Sequence, residues 1–179
     1  MPKLFFAIIP PLNVLETVHE NTLPVLHTHP EWRVANDAQW HITIQYIGFV
    51  TPVAATKIWN AFETLTLPRA EKITIGGNPS TALLRHQLLH ARVTEEKPFL
   101  SSTREVVRTI APVVERENII FHLTLARAKK KKGNPSSEIV SEIPPFTSTF
   151  LPLGVTLFRS EQQNEKVIHI PLSTRLFSL

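Results

Sequence analysis

The apolar positions change period along the chain, and each change marks an element. Lys3–Ile9 (KLFFAII) is a continuous apolar run, which predicts a buried strand. Pro10 and Pro11 then open a short predicted helix carrying Val14, Leu15 and Val18, since proline is tolerated in a first turn. Residues 21–39, with Pro24, His27, His29, Pro30 and Asn36-Asp37, read as irregular. The run 40–47 predicts the next strand, closed by Gly48. Thr51-Pro52 forms an N-cap and first turn, and Ala55, Ile58, Trp59 and Phe62 follow at helical spacing. Strands are predicted near residues 71–75 and 87–93, with Gly76-Gly77-Asn78-Pro79 turning the chain between them. Pro98 begins a helix with Thr103, Val106, Val107, Ile110 and Val114 inward. A strand over 119–126 comes next, then a solvated loop through Lys129–Lys132 and Gly133-Asn134-Pro135. Two strands, 147–158 and 166–172, are expected to end the pattern, joined by the polar turn 160–165.

Two of these strands share a tetrapeptide. His41-Ile42-Thr43-Ile44 and His122-Leu123-Thr124-Leu125 both read His-apolar-Thr-apolar. Side chains alternate across a strand, so His41 stands beside Thr43 with Ile42 and Ile44 behind them. His122 and Thr124 stand likewise against Leu123 and Leu125. The order strand, helix, His/Thr strand describes residues 3–47 and again residues 87–126. An α+β protein with two similar lobes would bring the equivalent strands together at its middle. Two imidazoles and two hydroxyls would then face one another, a set suited to acid–base chemistry on a phosphate. Arg127 lies five residues beyond His122 and falls on the opposite face of a regular strand, reaching the groove only if the strand twists or ends. Arg33 reads as a solvated loop residue.

Length and charge narrow the picture. At 179 residues, 42% of them hydrophobic, the chain suits one domain over 1–179. The net charge of +4 fits an anionic partner such as nucleic acid, and the four lysines after the second motif would add to that attraction. There is no cysteine, which excludes disulfides, thiolate metal sites and a cysteine nucleophile. No segment is long and apolar enough to span a bilayer, and the N-terminus reads as a strand rather than a signal peptide, so a cytoplasmic monomer is expected. His27 with His29, and His86 with His90, lack the cysteine or carboxylate companions of a metal site, so no metal and no cofactor are expected. No glycine-rich phosphate loop supports nucleoside triphosphate hydrolysis.

The chain resembles the 2H phosphoesterase superfamily, and within it the RNA 2′,3′-cyclic phosphodiesterases also called 2′-5′ RNA ligases. The resemblance rests on Leu4-Phe5-Phe6-Ala7-Ile8, Arg33, His41–Gly48 (HITIQYIG), His122–Arg127 (HLTLAR) and Val155-Thr156-Leu157-Phe158 before Ser160. Phe121 stands where the family has proline, Val34 where an aromatic residue is common, and His90 where tryptophan is frequent. The resemblance implies a bilobal fold of two pseudo-symmetric, mainly antiparallel lobes with outer helices around a central groove. It implies hydrolysis of RNA 2′,3′-cyclic phosphate ends to 2′-phosphates, with His41 as proton donor, His122 as proton acceptor, and Thr43, Thr124 and Arg127 on the phosphate. The chemistry fits independently, because opening a cyclic phosphate needs a base for water and an acid for the departing ribose oxygen on opposite sides of phosphorus. Ligation of 2′-5′ ends at the same site, a cyclic phosphate on an ADP-ribose derivative, and a non-catalytic RNA-end-binding module are the competing readings.

Overall fold

The structure is a computed structural model that describes residues 1–36, 39–84, 87–111, 120–129, 137–163 and 166–178. In chain order the elements are β1 (Lys3–Ile8), α1 (Leu12–Thr28), β2 (Trp32–Val34), β3 (Ile42–Phe49) and α2 (Pro52–Glu63). They continue with β4 (Ile73–Gly77), β5 (Thr81–Leu84), β6 (Leu88–Glu95), α3 (Phe99–Arg108) and β7 (His122–Ala128). The last are α4 (Ile139–Glu142), β8 (Phe146–Phe150), β9 (Gly154–Gln163) and β10 (Lys166–Leu176). The strands join into one antiparallel sheet ordered β10-β9-β1-β3-β7-β6-β4-β8, with β2 added to β7 and β5 to β6.

The sheet has a seam at its centre. β3 meets β7 at a single register pair, Ile42 opposite Leu123. Further along β7 the same edge belongs to β2, so β3 and β7 splay apart beyond their crossing. β10, β9, β1 and β3 therefore form one lobe, and β7, β6, β4 and β8 the other, which is the expected pseudo-symmetric α+β arrangement.

Each half sends a helix to the other lobe. α1 follows β1 yet packs on β8, and α3 follows β6 yet packs on β3. Val14, Val18, Thr22 and Leu26, one helical turn apart, are the buried stripe of α1. On α3 it is Phe99, Leu100, Thr103 and Val107. On α2 the Thr51 hydroxyl accepts from the Ala54 N–H at 3.2 Å, satisfying a free first-turn donor. Ile58 and Phe62 point inward there, and Phe62 packs on Phe6 with ring centroids 5.1 Å apart. Trp59, expected inward, is 42% exposed and donates to Glu63 instead.

Several expectations are corrected. The segment 21–39 is not irregular, because α1 continues to Thr28 and β2 follows. Pro24 sits inside the helix on its exposed side, where the carbonyl left without a donor can be hydrated. Gly48 does not close β3 but lies within it at φ 87° beside a register shift against β1. The single strand expected over 147–158 is two, β8 and β9, interrupted around Pro152, which cannot donate to a ladder. His29, read from the sequence as lacking carboxylate companions, has two, since it bridges Glu31 and Glu142 at 2.9 Å each and ties α1 to α4. Val114, His86, Lys130–Lys132 and Gly133-Asn134-Pro135 fall outside the described residues. No helix among the described residues is long and apolar enough to cross a membrane.

Candidate active site

The crossing of β3 and β7 builds the site. Ile42 and Leu123 are fully buried on the helix side of the sheet. Alternation then turns His41, Thr43, His122 and Thr124 to the opposite face, where all four are half-buried. Because the pairing is antiparallel about the Ile42–Leu123 pair, a local two-fold relates His41 to His122 and Thr43 to Thr124, and sets His41 across from Thr124 and Thr43 across from His122. The two motifs are thus brought together as the sequence suggested.

Both imidazoles are held in the same way. His41 Nδ1 lies 2.7 Å from the Gln39 carbonyl, and His122 Nδ1 lies 2.6 Å from the Ile120 carbonyl. A carbonyl only accepts, so each Nδ1 carries the proton and each Nε2 is left for chemistry. In the neutral ring that atom is a base, and in the protonated ring an acid.

The two-fold extends past the tetrapeptides. In the first lobe Ala7 pairs with Thr43 while Phe6 pairs with Gln45, so Ile44 is an extra residue. In the second, His90 pairs with Thr124 while Leu89 pairs with Ala126, so Leu125 is extra. An extra residue in one strand is a β-bulge, and it inverts the alternation that follows. Leu125 and Ala126 are accordingly both buried, and Arg127 returns to the face of His122 and Thr124. The regular-strand expectation for Arg127 is thereby corrected. Arg33 is corrected too, because it sits on β2 directly opposite Arg127. The nearby Arg33 charge, after burial itself, pulls the Arg127 pKa below its ordinary value.

Beside the motif residues stand rings from both ends of the chain. Phe5 and Phe158 stack at 5.1 Å, and the His41 ring lies 4.9 Å from Phe5. His169 meets His41 edge-on at 5.1 Å and shares a 3.0 Å hydrogen bond with the Ser160 hydroxyl. His90, noted in the sequence as a departure, lies 5.1 Å from His122. Each motif histidine therefore has a second histidine against it. Burial pushes the His41 and His122 pKa values below 6.5, the backbone carbonyls oppose this, and the Arg127 charge adds to it. Burial and the charge of the neighbouring motif histidine push His90 and His169 down to about 4, so both are neutral at pH 7. Among the described residues no group of three His, Asp or Glu is placed to hold a metal ion.

No protein-family model matches the chain, and no curated protein matches it in sequence. Solved structures do match, over essentially the whole chain. TT0787 of Thermus thermophilus superposes with a TM-score of 0.77 at 19% identity, covering 98% of this chain and 97% of that one. E. coli LigT complexed with 3′-AMP gives 0.73 at 20% identity, with 100% of both chains covered. This is the LigT fold. A structure described as a phosphoesterase gives 0.73 at 18% identity, again over 100% of both chains. In this LigT fold the crossing of β3 and β7 is where both His-x-Thr tetrapeptides and Arg127 converge.

Proposed function

We propose that this protein is a 2H phosphoesterase that hydrolyses RNA 2′,3′-cyclic phosphate ends to 2′-phosphomonoesters without a metal. The observation that carries the reading is the pair of imidazoles with Nδ1 fixed on a carbonyl and Nε2 left free, one from each lobe. In the assignment the resemblance implies, His122 Nε2 takes a proton from water as the oxygen attacks phosphorus. His41 Nε2–H gives its proton to the 3′-oxygen as the P–O3′ bond breaks. Attack and departure lie on opposite sides of phosphorus, which two lobes can serve and one cannot. Thr43, Thr124 and Arg127 donate to the non-bridging oxygens, where charge sits in the transition state. After turnover His122 is protonated and His41 neutral, and exchange with solvent resets the pair. E. coli LigT is complexed with 3′-AMP and with phosphate in two of the matching structures, ligands of the chemical type proposed here. With an RNA 5′-hydroxyl in place of water, the same groups would perform 2′-5′ ligation.

The test is a short RNA ending in a 2′,3′-cyclic phosphate, incubated with EDTA and with and without a 5′-hydroxyl RNA. The 2′-phosphate end is the expected product, and activity is expected to survive the chelator. A 3′-phosphate product, or loss in EDTA restored by one divalent ion, rules the mechanism out.

The pH profile follows from the site's electrostatics. Activity needs one neutral and one protonated imidazole, so kcat/KM should be bell-shaped. Acid removes the base and alkali removes the acid. Because both pKa values lie below 6.5 in the free protein, the maximum is expected on the acid side of 6.5. A bound phosphate anion favours the charged rings, so the kcat profile should lie at higher pH than that of kcat/KM. A kcat/KM that climbs steadily into the alkaline range contradicts the two-histidine pair.

A further inference from the structure

The two motifs match, but their flanks do not. Across from His122 in the β6–β7 ladder stands Arg92. Directly paired residues of antiparallel strands project from the same face with Cβ atoms about 5 Å apart, so Arg92 rises beside His122. Its side chain is exposed, and its backbone N–H donates to the Ser80 carbonyl. None of the ion pairs formed among the described residues includes it.

In the first lobe the equivalent position is apolar. Ile8 pairs with Ile42 as Ala91 pairs with Leu123, so the residue matching Arg92 is Ile9, which is 47% exposed. One imidazole is thus flanked by a cation and the other by an aliphatic side chain. Outward from Arg92 the same face continues over Thr94, which pairs with Thr74, itself paired with Thr149. Thr94 and Thr149 are exposed and Thr74 is half-buried, so a row of threonines leads from the site across β6, β4 and β8.

We propose that Arg92 binds the backbone phosphodiester next to the reacting phosphate, so that a polynucleotide substrate runs over the second lobe rather than the first. This rests on the phosphoesterase reading and adds the residue that holds the strand and the lobe over which it runs. Arg92 is a positioning residue, since it holds the strand and takes no part in bond making. A guanidinium suits the role because it stays charged and offers paired donors to a phosphate.

The experiment compares wild type, Arg92→Ala and Arg92→Lys on two substrates. One is a pentaribonucleotide with a 2′,3′-cyclic phosphate end, the other a nucleoside 2′,3′-cyclic monophosphate. Arg92→Ala should lower the ratio of kcat/KM for the pentamer to that for the monomer by about tenfold or more, since a charge-assisted contact is lost. The loss should fall in KM, and lysine should recover part of it. The salt dependence of pentamer binding should lose about one phosphate's share of its slope. Equal losses on both substrates, or a loss confined to kcat, overturn the assignment. If wild type turns over neither substrate, the hydrolase reading falls. Fluorescence anisotropy with a 2′-phosphorylated pentamer then decides on Arg92 by itself: a shallower salt slope in Arg92→Ala supports it, and an unchanged slope overturns it.

Discussion

His41→Ala and His122→Ala are each expected to lower turnover of an RNA cyclic phosphate by about 10²–10⁴-fold, the usual worth of a positioned acid or base. Both variants should keep the fold. The two imidazoles face the groove, only half-buried, and the backbone beneath them is fixed by Ile42 and Leu123 rather than by the rings. The double variant should be little worse than either single one, because an acid without its base has nothing to complete. Single-turnover assays with the products resolved, beside a circular dichroism melt, check both halves of the expectation. Near wild-type rates in either folded variant would remove the two-histidine mechanism.

Leu123→Ala should strike stability hardest among conservative changes near the site. Leu123 is fully buried and makes the one register pair joining β7 to β3. Truncating such a side chain costs about 2–5 kcal/mol through lost transfer energy and the cavity left behind. Activity should fall as well, since His122 and Thr124 flank it in sequence and take their positions from it. Urea unfolding measures the first effect and cyclic-phosphate turnover the second. An unchanged unfolding midpoint would show that the lobes are held together elsewhere.

The groove chemistry was legible because it depends on a local rule. Period-two alternation alone placed His41 with Thr43 and His122 with Thr124, and a repeated order of elements placed the two pairs opposite one another. What stayed hidden depends on partners distant in the chain. Arg127 reaches the site through a bulge at Leu125 that appears only in the register between β6 and β7. Arg33 joins it because β2 finds an edge on β7, in a stretch whose prolines and polar residues suggested no structure. Phe158 and His169 come alongside His41 through the ladders of β1, β9 and β10, and His169 carries no local signal. Pro24 misled in the other direction, its cost in α1 being small on the solvent side.

The position of β1 in the sheet also governs when the protein can fold. β1 is paired on one side by β3, which follows closely in the chain, and on the other by β9, which comes near its far end. Until β9 is available, β1 keeps an open, almost wholly apolar edge, the kind of edge that recruits other chains. The exchanged helices compound the delay, because α1 finds its seat on β8, which also comes late. Long loops must therefore close before the early strands gain their contacts, so folding should be slow and dominated by non-local steps. During synthesis on the ribosome the first half waits for the second, and that interval is when aggregation is the greatest risk.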